Sequence, residues 1–384
     1  MKIQLKKTLF TALLALGAAS VSSAGTVYMT GSTAMRSIVY SCMIAPGAVF
    51  NAAPTTTLFE GGGSGANYMA FSGTLVGGSG TTVIQCHWSG SEGGIKDVAT
   101  GVAETFIDPS LLDGTDHGSA SPSTTVSHAA DLAMADNAQS FSRSKTPVLA
   151  TGSEVGVITF TWVRNKGLWT GANVTDSMIR QALKGFCKRA VFSGNSADVN
   201  DYVYVSGRDN QSGTRVNAFG NTGFGIFTIP NQVEMDSAGN MLDLAPPTGT
   251  YAGDYGFSSG GTLANTMGAD TTTKADNWNG GTGYSVIAYL SRGDANTAVT
   301  AGAVELTYNG IAQSSVNVKE GTHTFWGNEY IYQANGAGAE AQSAYGRLAN
   351  GTTGIVNYCD GVKAIKLSDM HCTRTGPTSD PSHN

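Results

Sequence analysis

The chain has 384 residues, enough for two domains at roughly 150 residues each, and its 41% of hydrophobic residues supports a sizeable core. Its 51 glycines are about twice the usual share and its charged residues, at 13%, about half of it, which excludes a long coiled coil. A formal net charge of −6 excludes nucleic-acid binding through a basic patch.

Residues 1–24 have the form of a secretory signal peptide. Lys2, Lys6 and Lys7 make a basic start, residues 8–19 a short apolar run, and Ser22 and Ala24 put small residues before a cleavage point at Gly25. The run is shorter than the ~20 residues of a spanning helix. No cysteine follows it at once, so a lipoprotein anchor is not expected either. Cleavage takes the charge to −9, which opposes anionic polymers and membrane surfaces but not a small anion held by local dipoles.

Three segments then repeat one pattern, an apolar strand, a small-residue turn and a helix start. The first is Thr26–Met29, then Gly31-Ser32-Thr33, then a helix with Met35, Ile38, Val39, Cys42 and Met43 on one stripe. The second is Val83–Trp88, then Ser89–Gly94, then a helix through Ile95 and Val98. The third is Tyr202–Val205, then Ser206–Thr214, then a helix through Val216 and Phe219. This alternation predicts an α/β fold with mainly parallel strands.

Other elements fall between. Thr56–Ser79 reads as a Gly-rich hairpin, Asp97–Ser127 as a polar surface insertion, and His128–Asp136 as a short buried strand ending in a carboxylate. Val155–Val163 and Tyr284–Leu290 are strongly β-forming. Thr175 caps a helix carrying Met178, Ile179, Ala182, Leu183 and Phe186. Val304–Tyr308 enters an Asn309-Gly310 turn, and Thr373–Asn384 reads as a disordered tail. Of the five cysteines Cys42, Cys86, Cys187, Cys359 and Cys372, the expected pair is Cys359–Cys372, Cys42–Cys86 is a further candidate, and the odd count leaves at least one buried thiol. No C-x-x-C motif and no histidine pair at ligand spacing occurs, so no metal or cofactor is expected.

Each of the three turns places backbone N–H groups and hydroxyls at a helix start, where orphan donors and partial positive charge can seat an anion. Ser91 and Ser212 can instead be ordinary N-caps. Arg208 adds a fork suited to phosphate or carboxylate. Asp136 can accept a proton from a ligand or cap the next helix. Gly256-Phe257-Ser258-Ser259-Gly260 matches G-x-S-x-G, but no strong β-run precedes it, so a serine hydrolase at Ser258 is a distant third reading.

Together these residues resemble, in order, the phosphate-binding protein of bacterial ABC importers. Gly31-Ser32-Thr33-Ala34-Met35 is similar to that family's first anion loop, and Gly90–Lys96 to its Gly-Ser-Ser-Gly-Gly-Val-Lys loop. Asp131–Asp136 resembles its acidic strand, Arg208–Thr214 its Arg-x-x-x-Ser-Gly-Thr loop, and Tyr308–Ile311 with Glu320–Phe325 its closing segment. The resemblance implies an α/β, two-lobed periplasmic binding protein of the type II, Venus-flytrap kind. By position, Ser32, Thr33, Ser91, Asp136, Arg208, Ser212, Gly213 and Thr214 would face a buried anion. Ala34 stands where the family has a hydroxyl, Ala135 where it has a serine, and the acidic partner of the arginine would fall at Asn210 beside Asp209.

The expected organisation is a signal peptide over 1–24, a first lobe over 25–150 plus 292–384, and a second over 151–291. The expected function is capture of phosphate or a related oxyanion for an ABC permease, by a monomeric, non-enzymatic, periplasmic or secreted protein. The alternative is the same fold at the cell surface with an eroded anion site, serving adhesion or signalling.

Overall fold

The computed structural model describes residues 25–121, 123–185, 187–245 and 254–383. The leader and Phe186 lie outside the described residues. The chain opens with β1 (Gly25–Gly31), α1 (Arg36–Ile44), the hairpin β2 (Thr55–Phe59) and β3 (Tyr68–Thr74), then β4 (Thr81–His87) and α2 (Ser91–Thr100). A second hairpin, β5 (Ala103–Ile107) and β6 (Thr125–Ala129), precedes β7 (Leu132–Ala135) and the long β8 (Thr151–Arg164). Then come β9 (Asn173–Val174), α3 (Asp176–Lys184), β10 (Cys187–Lys188), α4 (Arg189–Ser193), β11 (Tyr202–Ser206) and α5 (Gly213–Asn221). Strands β12 (Gln232–Met235) and β13 (Met241–Ala245) pair, followed by α6 (Gly260–Thr266), β14 (Ala275–Asp276) and β15 (Gly281–Thr282). The rest is β16 (Ser285–Ser291), α7 (Arg292–Thr300), β17 (Val304–Tyr308), α8 (Ser315–Lys319), β18 (Trp326–Gln333), α9 (Ala339–Leu348), β19 (Ala364–Ile365), β20 (Cys372–Thr373) and β21 (Ser382–His383).

One sheet runs through the molecule in the order β10-β11-β16-β8-β18-β7-β1-β4-β3-β2. The three strand–turn–helix segments form as their hydrophobic periodicity requires, and the α1 stripe of Ile38, Val39, Cys42 and Met43 is buried. The sheet is mixed, not mainly parallel. Pairs β1–β4, β1–β7 and β11–β16 are parallel, as helical crossovers demand, while hairpin and crossover strands pair antiparallel. Strand β8 joins the two halves: residues 151–159 pair with β18 in the first, and 160–164 with β16 in the second. Residues 292–308 hold α7 and β17, which pack on β8, β16 and α6, so this stretch shares its core with the second half.

Several expectations are corrected. Asp97–Thr100 belongs to α2, so the surface insertion starts later than expected, and it folds as the separate β5–β6 hairpin, with Phe106 and Ile107 buried against the first half. The tail is ordered: β20 pairs with β21, and Arg374 lies 4.7 Å from the Trp326 ring centre and donates to the Thr324 carbonyl (2.7 Å). A cation over a desolvated ring anchors a segment that its polar composition does not. All five cysteines are free and buried. Cys359 packs in the main core and Cys372 in a separate cluster with Val157, Val318 and Trp326, so neither they nor Cys42 and Cys86 are bridged. Burial pushes the Cys42 and Cys359 thiols up to about 12.

Candidate anion-binding site

The starts of α1, α2 and α5 meet at the junction of the two halves. Gly31 takes a positive φ of 114°, and a side chain there would overlap the Met134 carbonyl, so glycine lets β1 turn sharply over the end of β7. Ser32 N–H donates to that carbonyl (2.8 Å) and Gly90 N–H to the Gly31 carbonyl (2.8 Å), tying the first two loops together. Across the junction, Glu92 N–H donates to the Gln211 carbonyl (2.8 Å). Gly213 packs so closely on Ser91 and Asp136 that a Cβ would overlap the Ser91 hydroxyl.

Asp136 is the hub. It is buried at the end of β7 and accepts from the Ser32 hydroxyl on one oxygen and from Thr214 Oγ1 (3.2 Å) on the other. Its N–H donates to Ser91 Oγ (3.1 Å), leaving the Ser91 proton available for another acceptor. Asp136 therefore caps no helix. Ser212 does, accepting from Arg215 N–H (3.3 Å), and Ser32 takes the Met35 N–H (3.2 Å). Thr33 and Gly213 complete the junction, both buried.

Arg208 is buried between the halves, but its fork is partly engaged. Nε donates to the Phe257 carbonyl (2.9 Å) and Nη2 to the Ser258 carbonyl (2.7 Å). Nη1 has no hydrogen bond among the described residues. Neither Asn210 nor Asp209 pairs with it: Asn210 N–H donates to Asp254, and Asp209 accepts from Gln211 N–H (3.1 Å). Asp209, and Asp294 on α7, both feel its charge. Burial raises the Asp294 carboxyl, opposed by a hydrogen bond from Ser291 and by the charges of Arg36 and Arg208. Ser258 is no nucleophile elbow, because its loop forms a single bridge with Arg208 and Ser259 caps α6.

The structure thus brings Ser32, Thr33, Ser91, Asp136, Ser212, Gly213 and Thr214 together, with Arg208 at their edge. Sequence reasoning missed five neighbours. Tyr289 accepts from Arg208 N–H (3.0 Å), and Asn217 Nδ2 donates to the Asp136 carbonyl (2.9 Å). Arg36 and Asp294 face the cleft, and the Ser291-x-x-Asp294 capping pattern was a legible signal for the second. Glu329, on β18, is 0% exposed with neither carboxyl oxygen hydrogen-bonded to a donor. It stands directly across from Asp136, because Tyr330 pairs with Ala135 in an antiparallel register. Burial and the Asp136 charge raise its carboxyl well above the usual range.

Of two open clefts among the described residues, only one borders this region. One of about 540 Å³ borders the anion loops through Thr33, Ala34 and Arg36. The other, about 570 Å³ between residues 75–82 and α9, is remote from these residues.

Two α/β halves joined by a shared crossover strand, with helix starts gathered between them, define the two-lobed fold of periplasmic binding proteins. Among solved structures, the chain is similar to a candidate phosphate ABC transporter substrate-binding protein with bound phosphate from Clostridium perfringens. The TM-score is 0.53 at 12% identity, covering 89% of this chain and 100% of that one. It is also similar to an ABC-type phosphate transport receptor from Vibrio cholerae (TM-score 0.46, 14% identity, 85% of this chain, 94% of that one). A third is a high-affinity periplasmic phosphate-binding protein bound with phosphate (TM-score 0.46, 9% identity, 89% and 90%). The fold assignment rests on the first, since the other two scores are too low to carry an argument. No family model and no curated protein matches the chain.

Proposed function

We propose that this protein captures phosphate or a related oxyanion between two lobes and delivers it to an ABC permease. The observation that carries the reading is the convergence of three helix N-termini, the Ser32, Ser91 and Thr214 hydroxyls and Asp136 at one buried junction beside Arg208. Helix starts supply oriented N–H donors and positive potential without a metal. Asp136 supplies an acceptor that suits a protonated oxyanion. Binding is capture by hinge closure about β8, with no covalent step.

The lobes are residues 25–150 plus 292–384 and residues 151–291, with the packing of α7 and β17 on β8 and β16 favouring a second lobe that extends through residue 308. Residues 1–24 would direct export to the periplasm or beyond. Among the described residues, no helix is long and apolar enough to cross a membrane. The mature protein acts as a monomer.

The test is thermal denaturation of protein stripped of bound anion. Phosphate at 100 times its dissociation constant stabilises a one-site binder by about 2.7 kcal/mol. An unmoved melting curve in millimolar phosphate would overturn the reading in favour of a binding-lobe fold kept for adhesion or signalling.

A further inference from the structure

The 540 Å³ cleft beside the anion loops is walled by the start of α1, the β2–β3 loop, and the first turns of α6 and α7. It persists although the two halves already touch at the anion loops, through Glu92 N–H on the Gln211 carbonyl and Thr214 on Asp136. Such a volume lies in the range of about 300–1,000 Å³ usual for small organic ligands, and exceeds what a bare tetrahedral anion fills.

Its wall chemistry narrows the occupant. Among the described residues Ala34 is the one apolar side chain that lines it, so an acyl chain gains little burial. Among the described residues no aromatic ring lines it, so a nucleobase finds no stacking face. Thr33, Ser259, Thr262 and Asn265 offer hydroxyls and an amide that both donate and accept, which suits alcohol groups. Arg36 projects into the same space with no hydrogen bond among the described residues, near Arg208, whose charge opposes its own, and near Asp294, which supports it. Arg36 lines the cleft and Arg208 lies buried beside it, with Nη1 next to Gly260 at the start of α6, and two guanidiniums, neither fully engaged, match a dianionic phosphoryl group where the cleft meets the anion loops.

We infer that the site takes a phosphomonoester of a small polyol, its phosphoryl group at the anion loops with Arg208 and Arg36, and its hydroxyls against α6 in the adjoining cleft. The inference rests on the anion-capture reading and extends it to a substrate class.

Calorimetry on anion-free protein with inorganic phosphate, glycerol 3-phosphate and glycerol tests it. Glycerol 3-phosphate is expected to bind at least tenfold tighter than inorganic phosphate, and glycerol not to bind. Thr262→Trp fills the cleft from an exposed position on α6 and removes the tenfold advantage while phosphate affinity stays unchanged. Asn265→Leu, also exposed on α6, gives the same split. Ester affinity equal to or weaker than that of phosphate overturns the inference and leaves anion capture standing, as does ester affinity unchanged in both variants. Binding of neither phosphate nor ester overturns both readings.

Discussion

Replacing Glu329 by glutamine should stabilise the protein, and by an amount that grows with pH. Glu329 is fully buried, with no donor on either oxygen, and sits across the β18–β7 ladder from Asp136. Like charges directly opposite on a sheet repel, and burial penalises the ionised form further. Its folded-state pKa is raised by burial and by Asp136, while the unfolded value stays near the ordinary ~4.3. Between those two values the native state binds more protons than the unfolded one, so native stability falls as pH rises. The slope is about 1.4 kcal/mol per pH unit within the window, and stability lost there is regained only below the unfolded pKa. Glutamine removes the titration, keeps the shape and can donate to Asp136 through its amide. Urea denaturation of both proteins from pH 4 to pH 8 is the assay. The curves should lie closest near pH 4 and separate steadily above it, with the variant more stable. Parallel curves, or a wild-type protein that gains on the variant as pH rises, would show that Glu329 carries no raised pKa in this register.

Arg208→Ala should weaken phosphate binding far more than Lys96→Ala, because Arg208 is buried at the junction while Lys96 is exposed on α2; equal losses by calorimetry would indicate a general electrostatic effect. Phosphate should be preferred over sulfate by at least about a hundredfold, ~2.7 kcal/mol, since only phosphate brings a proton to Asp136, and Asp136→Asn should narrow that gap in a competition titration. Asp254→Ala strands buried Arg215, whose ion pair measures 2.6 Å, and should cost about 3–5 kcal/mol in urea denaturation. Alkylation of unfolded, unreduced protein should label all five cysteines by mass spectrometry; labelling of three or fewer would restore a disulfide.

The sequence by itself determined the local grammar. Periodicity and turn chemistry placed the three strand–turn–helix units, the long β8, the Thr175 cap and the Asn309-Gly310 turn, because each depends on residues within a turn or two of one another. The ordered loops also pointed to the residues that converge on Asp136. What only the tertiary structure decided is everything set by register and packing between distant segments. Nothing near Glu329 reveals that it faces Asp136, 193 positions earlier, since that follows from which β18 residue meets which β7 residue. Likewise Arg208 turns to the carbonyls of residues 257 and 258, not to the adjacent Asp209, because the buried backbone acceptors lie where its side chain ends. Cys359 and Cys372 stay apart because their segments are built into different packed clusters, and the tail is held by the β20–β21 pairing and by Arg374 over Trp326. Local propensity is a property of neighbours along the chain, whereas pairing, burial and charge environment arise only when the chain closes on itself.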